Sequence, residues 1–258
     1  MIKNKIFEIL TSLRFFFLVV FLIIFFFNFL DIFLFELTRT FHGNFFIFFK
    51  DIIDPLSDIF DPLNVIISCF IVLVVNLNIQ SILRNNKKLE VIKLKTNFKA
   101  EKIFSLYNYI GLVSKHFIYS LTLAGILCNV FKYFFGVSRP KYFFLEDYER
   151  INFFNLEHKV SSFPSGHTQA AFTLAILLII YLNRFTLFIL MIAVLLALSR
   201  IFMSMHFPSD LIAGAYLGSI VPIIIYNIYF KCEIEDISKK YRINLRDLLK
   251  LLYYRINI

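Results

Sequence analysis

A chain of 258 residues that is 59% hydrophobic, 17% charged and +9 in net charge is too apolar for a soluble domain. Its length suits one membrane-embedded domain over residues 1–258. In such a chain the Lys and Arg excess marks cytoplasmic loops, so nucleic acid is not an expected partner. The three cysteines, Cys69, Cys128 and Cys232, stand far apart, so no disulfide framework or metal-spaced pair is implied.

In chain order, Lys3, Lys5 and Arg14 lead into an apolar run from Phe15. Bulky Phe and Leu fill the place where a signal peptide would have its small-residue cleavage site, so this run is read as a retained first span. Six stretches approach the ~20 apolar residues that cross a bilayer: 13–30, 62–83, 116–133, 168–183, 185–203 and 210–230. The fold expected is therefore all-α, a polytopic membrane bundle of six transmembrane helices. Lys and Arg gather in 1–14, in 84–102 and in the tail from 231, whereas 31–61 holds six acidic residues against Arg39 and Lys50. The positive-inside rule then places both termini in the cytoplasm.

Between these spans lie two lesser signals. The segment 31–61 reads as an amphipathic helix on the outer face, with Asp54-Pro55 and Asp61-Pro62 as helix starts. The segment 103–115 reads as an amphipathic extension of the third helix, ending near Lys115. His42, His116 and His158 are read as ordinary interfacial histidines.

Costly polar residues concentrate at three outward-facing ends, "KYFFGVSRP" (132–140), "PSGH" (164–167) and "SRIFMSMHFPSD" (199–210). Ionisable residues in such places point to function. Lys132, Arg139 and Arg200 match a dianionic phosphate, Arg through a planar fork and Lys as a point charge. Pro140 forces Arg139 out of helical geometry and is expected to end the third helix there. Ser165 and Gly166 open the fourth helix, whose free N–H groups and positive end suit an oxyanion. His167 is placed to protonate a leaving group. His206 and Asp210 lie four apart across Pro208, so the carboxylate is expected to accept a hydrogen bond from the ring. His206 can then attack phosphorus and form a phosphohistidine.

Lys132-x6-Arg139-Pro140, Pro164-Ser165-Gly166-His167 and Ser199-Arg200-x5-His206-x3-Asp210 together resemble the signature of type 2 phosphatidic acid phosphatases. That superfamily also holds the vanadium haloperoxidases and bacterial acid phosphatases. Every signature position, within 132–210, is filled. The resemblance implies a metal-independent membrane lipid phosphatase without cofactor, its site at the outer membrane–water interface. His206 is then the nucleophile, Asp210 its orienting partner and His167 the acid. Lys132, Arg139, Ser165, Gly166 and Arg200 hold phosphate.

The substrate class implied is a lipid phosphate: phosphatidate, phosphatidylglycerophosphate, undecaprenyl diphosphate or a lipid A phosphate. The acidic-aromatic segment 31–61 loosely resembles that of bacterial lipid A phosphatases. The expected location is a bacterial inner membrane, with the site facing the periplasm or exterior. A lipid phosphotransferase using the same phosphohistidine, and a non-catalytic transporter or scaffold, are the other classes compatible with the motifs.

Overall fold

The structure is a computed structural model that describes residues 2–255 except 42, 60, 183 and 242. His42 therefore lies outside the described residues. The named elements among the described residues are all helical. The principal ones are α1 (Leu13–Arg39), α2 (Pro62–Ile82), α3 (Ala100–Phe135), α4 (Gly166–Leu182), α5 (Thr186–Phe202) and α6 (Pro208–Tyr241). Four stretches are long and apolar enough to cross a membrane: α1, Gly43–Ile82 (which contains α2), α3 and α6. The apolar helices α4 and α5 have 17 residues each, which at 1.5 Å per residue is about 25 Å. Along α1, Phe17, Phe21 and Phe29 are more than 60% exposed, a surface that lipid tails, not water, can cover.

Local chemistry sets the helix ends. Ser12 caps α1 by accepting from the Phe15 N–H. Asp61 accepts from the Leu63 N–H at 2.8 Å, and α2 starts at Pro62 as the Asp-Pro pair predicts. The other such pair behaves differently. Asp54-Pro55 lies inside a helical run, Gly43–Phe48 passing through a π turn (Phe49–Ile53) into Asp54–Ile59. The Asp54 N–H bonds to Phe49 O five residues back, and this wider register admits a proline that has no N–H to give. Helix α3 also ends earlier than Pro140 predicts. It stops at Phe135, where Gly136 turns to φ +52°. A side chain there would overlap the Asn152 carbonyl, so only glycine serves. The residue before Pro140 is extended as expected, with Arg139 at φ −72°, ψ 147°.

Two compact units divide the chain. One comprises residues up to 65 together with 120–224, the other 66–119 together with 225 onward. In the second, Ile79, Leu83, Ile103, Leu106, Tyr107 and Leu251 form the core. Asn76 donates to Tyr107 O at 2.9 Å, and Lys102 pairs with Asp247 at 2.8 Å. Segment 103–115 continues α3 as expected, with Lys115 exposed. His116, read as interfacial, is instead fully buried, its ring 5.1 Å from that of Phe230.

The first unit holds every signature residue. Ala171 and Ala175 of α4 and Ala193 and Leu196 of α5 pack with Phe49 and Ile53 of the 43–59 run, and Phe49 stacks on Phe202 at 4.2 Å. Helix α6 meets α4 through bare backbone. A methyl at Gly214 would come within 2.5 Å of Ser165 O, and one at Gly218 would overlap the Gln169 carbonyl. This small-x3-small contact lets two membrane helices approach closely. We predict that Gly218→Val lowers the detergent unfolding temperature by several degrees or prevents folding, since overpacking costs about 1–3 kcal/mol or more. Gly43→Ala, with nothing within 4 Å of the new methyl, leaves it unchanged.

Candidate active site

The α4–α6 contact brings the three polar ends together. A cavity of about 430 Å³ is lined by Lys132, Arg139, Gly166, His167, Arg200 and His206, with His158 and Met205 beside them. Lys132 comes from the last turn of α3 and Arg139 from the extended residue before Pro140. Gly166 and His167 open α4, Arg200 lies in the last turn of α5, and His206 sits between α5 and α6.

Each cation has a fixed partner. Lys132 Nζ donates to Ser161 O at 2.5 Å. Arg139 donates to Ser161 Oγ at 3.1 Å and reaches Met205 Sδ at 3.7 Å. Arg200 donates to Ser57 Oγ at 3.1 Å and pairs with Asp54. The acidic 31–61 segment thus places a carboxylate on one of the cavity cations, which its reading as an amphipathic surface helix does not predict.

Ser165 and Asp210 are fully buried and stand behind the cavity wall, outside its lining. Ser165 Oγ accepts from Thr168 Oγ1 at 2.9 Å and from the Thr168 N–H at 3.4 Å, capping α4. Its own N–H donates to Asp210 O at 3.0 Å, which ties the start of α4 to the start of α6. A methyl on Gly166 would stand 3.8 Å from Lys132 Cε, in the space next to that cation.

His206 is 3% exposed, and its Nδ1 faces inward. The expected direct hydrogen bond to Asp210 is absent: Nδ1 and Oδ2 are 3.6 Å apart, beyond hydrogen-bonding range. The Ser162 hydroxyl stands between them, 3.3 Å from His206 Nδ1 and 2.5 Å from Asp210 Oδ2. The reason is the tight first turn of α6, in which the same Asp210 oxygen accepts the Phe207 N–H at 2.8 Å and is held toward the backbone. A further buried acid braces this turn. Asp31 accepts from Ser209 N (2.8 Å) and Oγ (2.5 Å) and pairs with Arg150 at 2.5 Å. The Arg150 guanidinium lies 3.7 Å above the Phe207 ring, a cation–π contact.

Sequence reasoning passed over Ser162, Asp31, Asp54 and Arg150. Asp31 carried a readable signal, an acid within the apolar run "FNFLDIFLF". His158, read as interfacial, lines the cavity edge. Arg139 foremost, then partial burial and Lys132, hold its pKa below the ordinary value. Among the described residues no group of three or more His, Cys, Asp or Glu is gathered as metal ligands would be.

The fold and site define a helical membrane protein with a cationic cavity beside a buried histidine. Residues 114–234 match the model of the PAP2 superfamily. Among curated proteins, a lipid A 1-phosphatase of Rhizobium johnstonii is 29% identical over 128 residues, 48% of this chain and 51% of the relative. A lipid A 1-phosphatase of Rhizobium etli is 30% identical over 128 residues, 48% of this chain and 53% of the relative. The bacitracin transport permease protein BcrC of Bacillus licheniformis is 32% identical over 72 residues, 28% of this chain and 36% of the relative. The chain thus spans about half the length of the first two relatives. No solved structure matches it at a significant level.

Burial first, then the charges of Lys132, Arg139, His167 and Arg200, drive the His206 pKa well below its ordinary 6.5. A depressed pKa means that the folded protein keeps this ring neutral through pH 6.5 and protonates it only in more acid solution. Histidine-labelled protein, titrated by ¹⁵N NMR without phosphate, will show His206 changing state below pH 6.5. Arg139→Gln will move that change upward. A His206 transition at or above 6.5 in the wild type contradicts the assignment.

Proposed function

We propose that the chain is an integral membrane phosphatase that hydrolyses a lipid phosphate through a phosphohistidine on His206. One observation carries the reading: three cations and three histidines line a single cavity, and the buried one, His206, has its pKa lowered by burial and by the cations. Phosphate enters between Lys132, Arg139 and Arg200 and displaces Asp54 from Arg200. The Gly166 N–H at the positive end of α4 supplies a further donor, and the missing side chain lets the oxygen approach.

His206 Nε2 attacks phosphorus in line, forming the P–N bond as the P–O bond to the lipid breaks. His167 gives its proton to the departing oxygen. Water then attacks phosphorus, losing a proton to His167, and the P–N bond breaks to release inorganic phosphate and neutral His206. The three cations offset charge that a metal ion offsets elsewhere, so the chemistry runs on side chains alone.

We place the protein in six crossings, with α4 and α5 completing the four longer stretches. Both termini are cytoplasmic and the cavity opens on the far side, in a bacterial inner membrane facing the periplasm. Two points support this: the Lys and Arg distribution, and the position of all three motifs at one end of the helices in that topology. Among lipid phosphates, a glycolipid phosphate of the lipid A type is favoured, because two relatives are named lipid A 1-phosphatases. The half-length match keeps phosphatidate, phosphatidylglycerophosphate and undecaprenyl diphosphate on the test panel.

Phosphate release in EDTA by detergent-purified protein, assayed on these four lipids, tests the reading. Wild type will release phosphate and His206→Ala will not. Arg200→Lys, a fork replaced by a point charge, will lose on the order of 10²-fold in turnover. Release by His206→Ala at the wild-type rate, or loss in EDTA restored by a divalent metal, overturns it.

A further inference from the structure

We propose that Ser162 is a positioning residue that relays the Asp210 carboxylate to His206 and sets which ring nitrogen attacks phosphate. The proposal rests on the phosphohistidine reading above and adds to it a residue outside the signature motifs. The direct His206–Asp210 contact is too long at 3.6 Å, so an intermediary is needed for the carboxylate to act on the ring. Ser162 is fully buried and rigidly placed, its N–H donating to Val137 O at 2.8 Å. Its hydroxyl has one hydrogen and three neighbours: Asp210 Oδ2 at 2.5 Å, His206 Nδ1 at 3.3 Å and Met205 O at 3.3 Å.

That hydrogen goes to the nearest and most strongly accepting atom, the carboxylate oxygen. The hydroxyl oxygen then meets Nδ1 with its lone pairs. Two lone pairs repel, so Nδ1 carries the ring proton and donates to Ser162. The ring is left with its free pair on Nε2, the nitrogen away from Ser162. When Nε2 bonds to phosphorus the ring becomes cationic and Nδ1 keeps its proton. The chain Nδ1–H···Oγ–H···Oδ2 then passes the stabilising effect of the Asp210 charge to it. No atom is transferred along this chain and no co-reactant is required.

A purely structural serine would hold the 161–165 turn without fixing a tautomer, and this separates the two roles. The test combines kinetics and histidine ¹⁵N NMR on full-length Ser162→Ala, Ser162→Cys and Ser162→Thr. In the wild type, His206 should be the Nδ1–H tautomer. Ser162→Ala and the near-isosteric Ser162→Cys should lose on the order of 10²-fold in kcat with KM within about twofold, and show the Nε2–H form mixed in. Ser162→Thr, which keeps the hydroxyl, should recover part of the rate and the Nδ1–H signal. Asp210→Asn combined with Ser162→Ala should lose little more than either alone, as for members of one chain.

Wild-type kcat with an unchanged tautomer in either hydroxyl-free variant overturns the proposal, as does an Nε2–H wild-type ring. Should Ser162→Ala not fold, Ser162→Cys and the wild-type spectrum still decide. Activity in His206→Ala would instead remove the phosphohistidine reading, and the tautomer measurement would still report on Ser162.

Discussion

The close approach of α4 and α6 is the constraint from which the site follows. Gly214 and Gly218 leave no side chain between the helices, so the Ser165 and Gln169 carbonyls of one lie against the backbone of the other. That contact sets the start of α4 beside the start of α6, where Asp210 O accepts the Ser165 N–H. In a bilayer the apolar effect does little to hold helix to helix, and packing and buried hydrogen bonds must do so. Two helix starts locked in this way make a rigid corner. His206, just before α6, and Gly166 and His167, at the start of α4, share that corner because of it.

Gathering like charges there has an electrostatic cost, and the fold distributes it. Ser161 accepts from both Lys132 and Arg139, one through its carbonyl and one through its hydroxyl. Asp54 and Ser57 take Arg200. Asp210 and Asp31 lie behind the corner, where Arg150 pairs with Asp31 and covers the face of Phe207. In the proposed reaction, a phosphate dianion supplies the charge that this cluster lacks and releases Arg200 from Asp54. On that reading, selectivity for a doubly charged oxyanion follows from the resting arrangement. Burial first, and then the field of these cations, lowers the His206 pKa, so the charges proposed to hold phosphate also favour the neutral ring.

The motif residues were legible because charge is expensive in an apolar chain: Lys132, Arg139, Arg200, His206 and Asp210 stand out wherever they occur. Helix starts at Pro62, Gly166 and Pro208 were legible from proline and glycine chemistry. Pro55 misled because a π turn before it absorbs the proline without starting a helix. The end of α3 was misplaced for a related reason, since Gly136, not Pro140, turns the chain. Ser162 was illegible, because a serine carries no charge signal and lies 44 residues from the ring that it touches. Asp31 and Arg150 are 119 residues apart, and no spacing rule links them. The glycine pair of α6 has a recognisable four-residue spacing, but its partner helix is known only from the fold.

The account turns on a covalent bond to one nitrogen of one residue. The most direct measurement is to mix the protein with ³²P-labelled lipid phosphate, quench within a turnover, and map the label. The account predicts a base-stable, acid-labile phosphoryl group on the peptide carrying His206, formed at least as fast as phosphate is released. Label on His167, or steady release of phosphate with no label on any residue at any time, contradicts it.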